Sequence, residues 1–152
     1  MEKRGKSFYE LMANQTRSEQ AKKIFSIMAE EESAHVDFLA KQYKSFVKDS
    51  KFVKPLIKAK AAEDIAALVI TEELKSQISA AGFEAAAIST AIDFESRSVD
   101  LYSARAKEAS DPEEKELYAW LADWERGHHT LLLRLDEELK ESIWFDNKFW
   151  PF

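Results

Sequence analysis

The sequence predicts an all-α protein, an antiparallel four-helix bundle built from two repeated helical hairpins joined by a long crossover. Three observations carry that expectation. The 152 residues contain only 3 Gly and 3 Pro, so turns are few and elements long. Four segments repeat their apolar residues at the 3.6-residue period of a helix. Sliding the chain along itself by 93 residues (95 − 2 = 93) superimposes its most unusual positions.

In the first helix the apolar period runs through Phe8, Leu11 and Met12, and the polar stretch from Asn14 to Ser18 ends it. The period resumes at Glu19 with Ile24, Ile27, Met28, His35, Phe38, Leu39 and Tyr43, and Ser18 is a suitable N-cap for this long second helix. Residues from about 50 to 82, with Lys-rich ends, Pro55 and an Ala-rich amphipathic stretch from Ile65 to Ile78, are expected to form a partly helical crossover. A third helix is expected from Phe83 to about Ala109, its Ala-rich start permitting close helix approach. Ser110-Asp111-Pro112-Glu113-Glu114 then supplies an N-cap, a proline at the first helical position and acidic first-turn residues. The fourth helix is expected to end near Ser142. The bundle would occupy residues 1–142, and 143–152, IWFDNKFWPF, an extended aromatic tail.

The absence of cysteine excludes disulfides, thiolate metal sites and cysteine nucleophiles on these residues. No apolar run approaches the roughly 20 residues that span a bilayer, and the first residues lack a signal peptide's apolar stretch, so no membrane association and a cytoplasmic location are expected. A formal net charge of -6 without a basic cluster argues against nucleic acid as a partner.

At the 93-residue offset Glu2 falls on Glu95, Tyr9 on Tyr102, Ser18 on Asp111, Ala29 on Ala122, Glu32 on Glu125 and His35 on His128, and the chain has only 3 histidines. Residues three apart on a helix differ by about 60° in azimuth and about 4.5 Å in rise, so Glu32 and His35 point to one side. Glu125 and His128 do the same. Both pairs share an azimuth with apolar neighbours, Met28 and Leu39 in one helix, Leu121, Leu132 and Leu135 in the other, and so face inward. Four inward carboxylates without cations would each cost several kcal/mol or be protonated. Two divalent metals would balance Glu2, Glu32, Glu95 and Glu125. Oxygen-rich ligation with one imidazole per metal suits iron or manganese better than a thiolate-seeking zinc site. Tyr9 and Tyr102, each seven residues after a candidate ligand, are placed to hydrogen-bond a ligand carboxylate. His129 points about 100° away from His128, toward the rim.

One Glu from each of two helices with a Glu-x-x-His from each of the others resembles the ferritin-like di-iron carboxylate proteins. Within them EKRGKSFYELMA, AEEESAHVDFL, FESRSVDLYSARA and ADWERGHHTLL resemble the rubrerythrins. The resemblance implies a centre of two iron ions, with manganese or zinc as substitutes. It implies that Glu32 and Glu125 bridge the metals, that Glu2 and His35 are terminal on one, and that Glu95 and His128 are terminal on the other. Rubrerythrins typically carry a cysteine-rich rubredoxin domain; none is present here, so a separate electron-donor protein is expected. They also carry a further carboxylate one turn after the Glu matching Glu95, where this chain has Ser98.

Leu117, Trp120, Trp124 and Leu131 form a second apolar stripe on the fourth helix, expected to be covered by the aromatic tail or by a second copy of the chain. The family's habit of dimerising implies a homodimer. The expected function is a non-haem di-iron oxidoreductase that reduces peroxide or dioxygen. The alternatives are a ferroxidase or iron-handling protein using the same ligands, and a non-enzymatic helical interaction module.

Overall fold

The computed structural model describes residues 1–53, 70 and 82–145, the last four of these by backbone alone. Helices α1 (Glu2–Gln15), α2 (Glu19–Asp49), α3 (Phe83–Glu108) and α4 (Pro112–Phe145) account for nearly all of them, and there is no strand among the described residues. The Ile65 to Ile78 stretch, apart from Ile70, and the tail from 146 onward lie outside the described residues.

The helix ends follow local chemistry. Ser18 Oγ accepts from Ala21 N–H at 3.2 Å, and Asp111 Oδ1 accepts from Glu113 and Glu114 N–H at 2.8 and 2.9 Å, satisfying donors that a first helical turn otherwise leaves free. Ser50 closes α2 in the left-handed conformation with φ 51°. One boundary differs from expectation. Helix α4 continues through Ile143 and Trp144 to Phe145, because no Gly or Pro interrupts the chain after Ser142 until Pro151.

Side-chain pairings give the topology. Tyr9 meets Glu95 while Tyr102 meets Glu2, so α1 and α3 run antiparallel. His35 packs on Trp124 and Phe38 on Trp120, so α2 and α4 also run antiparallel. Since α2 is antiparallel to α1, it runs parallel to α3, and Ser50 and Gly82 lie at opposite ends of the bundle, as a crossover connection requires. Thr16 Oγ1 donates to Glu84 Oε1 at 2.6 Å and ties the α1–α2 turn to the start of α3. This is the expected ferritin-like four-helix bundle.

The backbones pack closely within each hairpin and stand farther apart between hairpins, which leaves room for large side chains along the middle. Toward one end Ile24, Phe25, Met28, Ile88, Leu132 and Leu135 form an apolar plug with Tyr9. Toward the other, Phe38, Leu117, Leu121 and Tyr102 form a second. A polar cluster lies between the two plugs.

Candidate metal centre

The cluster consists of Glu2, Glu32, His35, Glu95, Glu125 and His128, all buried, none more than 4% exposed. Each side chain reaches the interior for a local reason. Glu32 and His35 sit one turn apart on α2, and Glu125 and His128 one turn apart on α4. Glu2 is carried on the first turn of α1 and Glu95 on the middle of α3. All six residues singled out in the sequence are brought together.

Their distances follow a two-fold pattern. His35 Nδ1 lies 3.0 Å from Glu2 Oε2, 3.1 Å from Glu125 Oε1 and 3.6 Å from Glu32 Oε2. His128 Nδ1 lies 3.6 Å from Glu32 Oε1, 3.8 Å from Glu95 Oε2 and 3.9 Å from Glu125 Oε2. Glu32 and Glu125 therefore turn one oxygen to each imidazole, whereas Glu2 faces only His35 and Glu95 only His128. Two overlapping groups result, Glu2, Glu32, His35 and Glu125, and Glu32, Glu95, Glu125 and His128, with ligand atoms in each within 4.8 Å of one another.

Proton donors do not satisfy this arrangement. A single imidazole N–H cannot serve three carboxylate oxygens. Both oxygens of Glu32 and of Glu125, Oε2 of Glu95 and Nδ1 of His128 are buried without a hydrogen-bond partner among the described residues. No Lys or Arg among the described residues pairs with these carboxylates. Buried polar atoms left unpaired each cost on the order of 1–3 kcal/mol, more when charged. Cations held between the two histidines answer all of these vacancies at once, so the donor set fits a pair of metal ions.

The tyrosines cross between repeats. The Tyr9 hydroxyl donates to Glu95 Oε1, and the Tyr102 hydroxyl donates to Glu2 Oε1. Each thereby occupies one oxygen of a glutamate that faces a single histidine and leaves its Oε2 turned to that histidine. Burial, then the charge of Glu95, holds the Tyr9 hydroxyl well above its ordinary pKa; burial and the charge of Glu2 do the same for Tyr102. Both remain donors.

Without metal the cluster holds protons. Burial, together with the charges of Glu95 and Glu32, pushes Glu125 up to about 9 despite the opposing contact with His35. Burial disfavours charged His35, but Glu125, Glu2 and Glu32 outweigh it and raise the imidazole to about 12; Glu32 and Glu95 likewise outweigh the burial of His128 and raise it to about 10. Burial would raise Glu2, yet His35 and Tyr102 hold it down at about 2. Glu95 is lowered too, the pull of His128 and Tyr9 exceeding the effect of burial.

The stripe on α4 is covered in part within the bundle, and Trp120 stays partly exposed. Trp124 packs edge-on against His35 at 4.3 Å and against Trp120 at 4.7 Å, Trp120 lies 4.7 Å from Phe38, and Leu131 joins the apolar plug around Ile24. The spacing between hairpins is the reason, since α4 turns one face to the centre and another to α2, and large rings fill the gap.

Of the remaining residues, His129 is half-buried and belongs to neither group. Ser98 is buried, and its hydroxyl donates to Phe94 O at 3.3 Å on its own helix. Sequence reasoning missed Trp124 as the ring that seats His35. Its signal was the stripe itself, one residue before Glu125.

Among known proteins, residues 1–136 match the family model described as Rubrerythrin. No curated protein and no solved structure matches.

Proposed function

The chain belongs to the rubrerythrin family, and from that premise we propose that it is a di-iron oxidoreductase that reduces peroxide or dioxygen with electrons from a donor protein outside the bundle. The observation that carries this reading is the pair of buried four-residue groups sharing Glu32 and Glu125, each with one histidine. Glu32 and Glu125 would bridge the irons, Glu2 and His35 would complete one, and Glu95 and His128 the other. When bound, two irons would supply the two one-electron changes that reduction of peroxide to water requires.

The chain's own residues do the rest. Glu32 and Glu125 offer two oxygens each and can change how they share them as the charge between them changes. Tyr9 and Tyr102 hold Glu95 and Glu2 in orientation by hydrogen bonds to the oxygens that face away from the histidines. Trp124 fixes the plane of His35. The two apolar plugs limit water at the cluster, and no helix among the described residues is long and apolar enough to cross a membrane.

Ser98 supports a second reading, oxidation of Fe(II) as a substrate at the same site. The further carboxylate that the resemblance leads one to expect is absent, and the serine hydroxyl is engaged by Phe94 O. Anaerobic loading with Fe(II), followed by rapid mixing with peroxide or dioxygen, separates the two. The proposed activity gives oxidation of two irons per chain, faster with peroxide. Many irons oxidised per chain favours the second reading, and no oxidation with either would refute both.

A further inference from the structure

Gly5 lies on α1 one turn after Glu2, close against α2 and α3. A Cβ built on it would stand 3.0 Å from Phe94 Cε1 on α3, 3.1 Å from Glu32 Cδ and 3.3 Å from Glu32 Oε2. Those separations are tighter than ordinary carbon contacts, so the neighbours would have to give way. Gly127 on α4 is different: a Cβ there meets nothing within 4 Å. Glycine weakens a helix interior relative to alanine, and at position 5 the packing supplies a reason for it.

The atom that would be displaced matters. Glu32 Oε2 lies 3.6 Å from His35 Nδ1 and Oε1 lies 3.6 Å from His128 Nδ1, so the carboxylate sits evenly between the two imidazoles. The 93-residue repeat places Ser98 opposite Gly5 (5 + 93 = 98), and there a Cβ is accommodated with its hydroxyl turned to Phe94 O. The two halves of the centre are thus unequal at this position.

We propose that Gly5 is a positioning residue of the centre: its missing side chain is what allows the Glu32 carboxylate to stand between His35 and His128. The inference rests on the di-iron reading. A methyl group at position 5 presses on Glu32 Cδ and Oε2, turns the carboxylate from its even placement, and weakens binding of both metals because Glu32 belongs to both groups. The conservative change at the repeat-equivalent position has no such effect.

The test is anaerobic Fe(II) titration by calorimetry on the parent, Gly5→Ala and Ser98→Ala, with helicity followed by circular dichroism. Gly5→Ala is expected to keep its helix content and lose about ten-fold or more in affinity, the scale of a change to a group that orients a ligand. Ser98→Ala is expected to bind like the parent. If Gly5→Ala alone does not fold, Gly5→Ala with Phe94→Leu relieves the ring contact while keeping the contact with Glu32, and is compared with Phe94→Leu alone. Gly5→Ala, or the double variant against its reference, binding two Fe(II) as tightly as its comparator overturns the proposal. A parent that binds no Fe(II) overturns instead the di-iron reading on which it stands.

Discussion

Tyr102 and Tyr9 exchange partners across the bundle, each holding a glutamate of the other repeat, Glu2 and Glu95. Tyr102→Phe should therefore weaken the group of Glu2 and His35, and Tyr9→Phe the group of Glu95 and His128, each by about 10–100-fold. Stepwise Fe(II) titration reads the two groups separately, and equal losses in both variants would contradict the pairing. Glu2 gains most from this contact, because it sits on the first turn of α1, where backbone bonding alone holds a helix loosely. At this scale much was legible in the sequence. Two of three histidines and four glutamates coincide under one offset, and burying carboxylates without cations is costly enough to imply metal. The tyrosines' crossing was not legible, since each phenol's partner depends on the antiparallel register of two hairpins far apart in the chain. The role of Gly5 was hidden for the same reason, because its neighbours Phe94 and Glu32 come from two other helices.

Helix ends and helix spacing decide how the six side chains meet. Asp111 accepts from two backbone donors at the start of α4, so Asp111→Ala should cost about 1 kcal/mol. For a chain of this size that is a fall of roughly 2–4 °C in melting temperature. Metal stoichiometry should not change, because the cap lies nearly four turns before Glu125; calorimetric melting with metal analysis checks both, and loss of metal would show that the centre depends on helix-end order. The caps at Ser18 and Asp111 were readable because capping is local chemistry. The end of α4 was less readable, since an aromatic run without a cap signal resembles a tail although nothing before Pro151 breaks a helix. The stripe of Leu117, Trp120, Trp124 and Leu131 was visible as apolar, but what covers it depends on the distance between hairpins. Trp124 on His35 and Trp120 on Phe38 fill that distance.

At the scale of the molecule, a bundle with apolar plugs at either side of six buried polar groups couples its stability to protons and, on the di-iron reading, to metal. Without metal, Glu125 near 9, His128 near 10 and His35 near 12 all lie above their ordinary values of 4.5 and 6.5, so the stability they contribute is full at low pH and lost as pH rises. Glu2, lowered from 4.5 to about 2, and Glu95, also lowered, contribute in the opposite sense, present above 4.5 and lost in acid. The chelated protein should therefore be most stable near pH ~5 and melt progressively lower toward pH ~9. Metal must displace the same protons, so its affinity should rise over that range, and melting curves with and without Fe(II) should diverge as pH increases. Parallel curves would mean that metal does not bind at these groups. The most direct measurement of the central claim is anomalous scattering from crystals loaded anaerobically with Fe(II). The account expects two iron peaks inside the bundle, one beside His35 Nδ1 and one beside His128 Nδ1, with Glu32 and Glu125 between them; iron bound only at exposed carboxylates, or no iron in the interior, would contradict it.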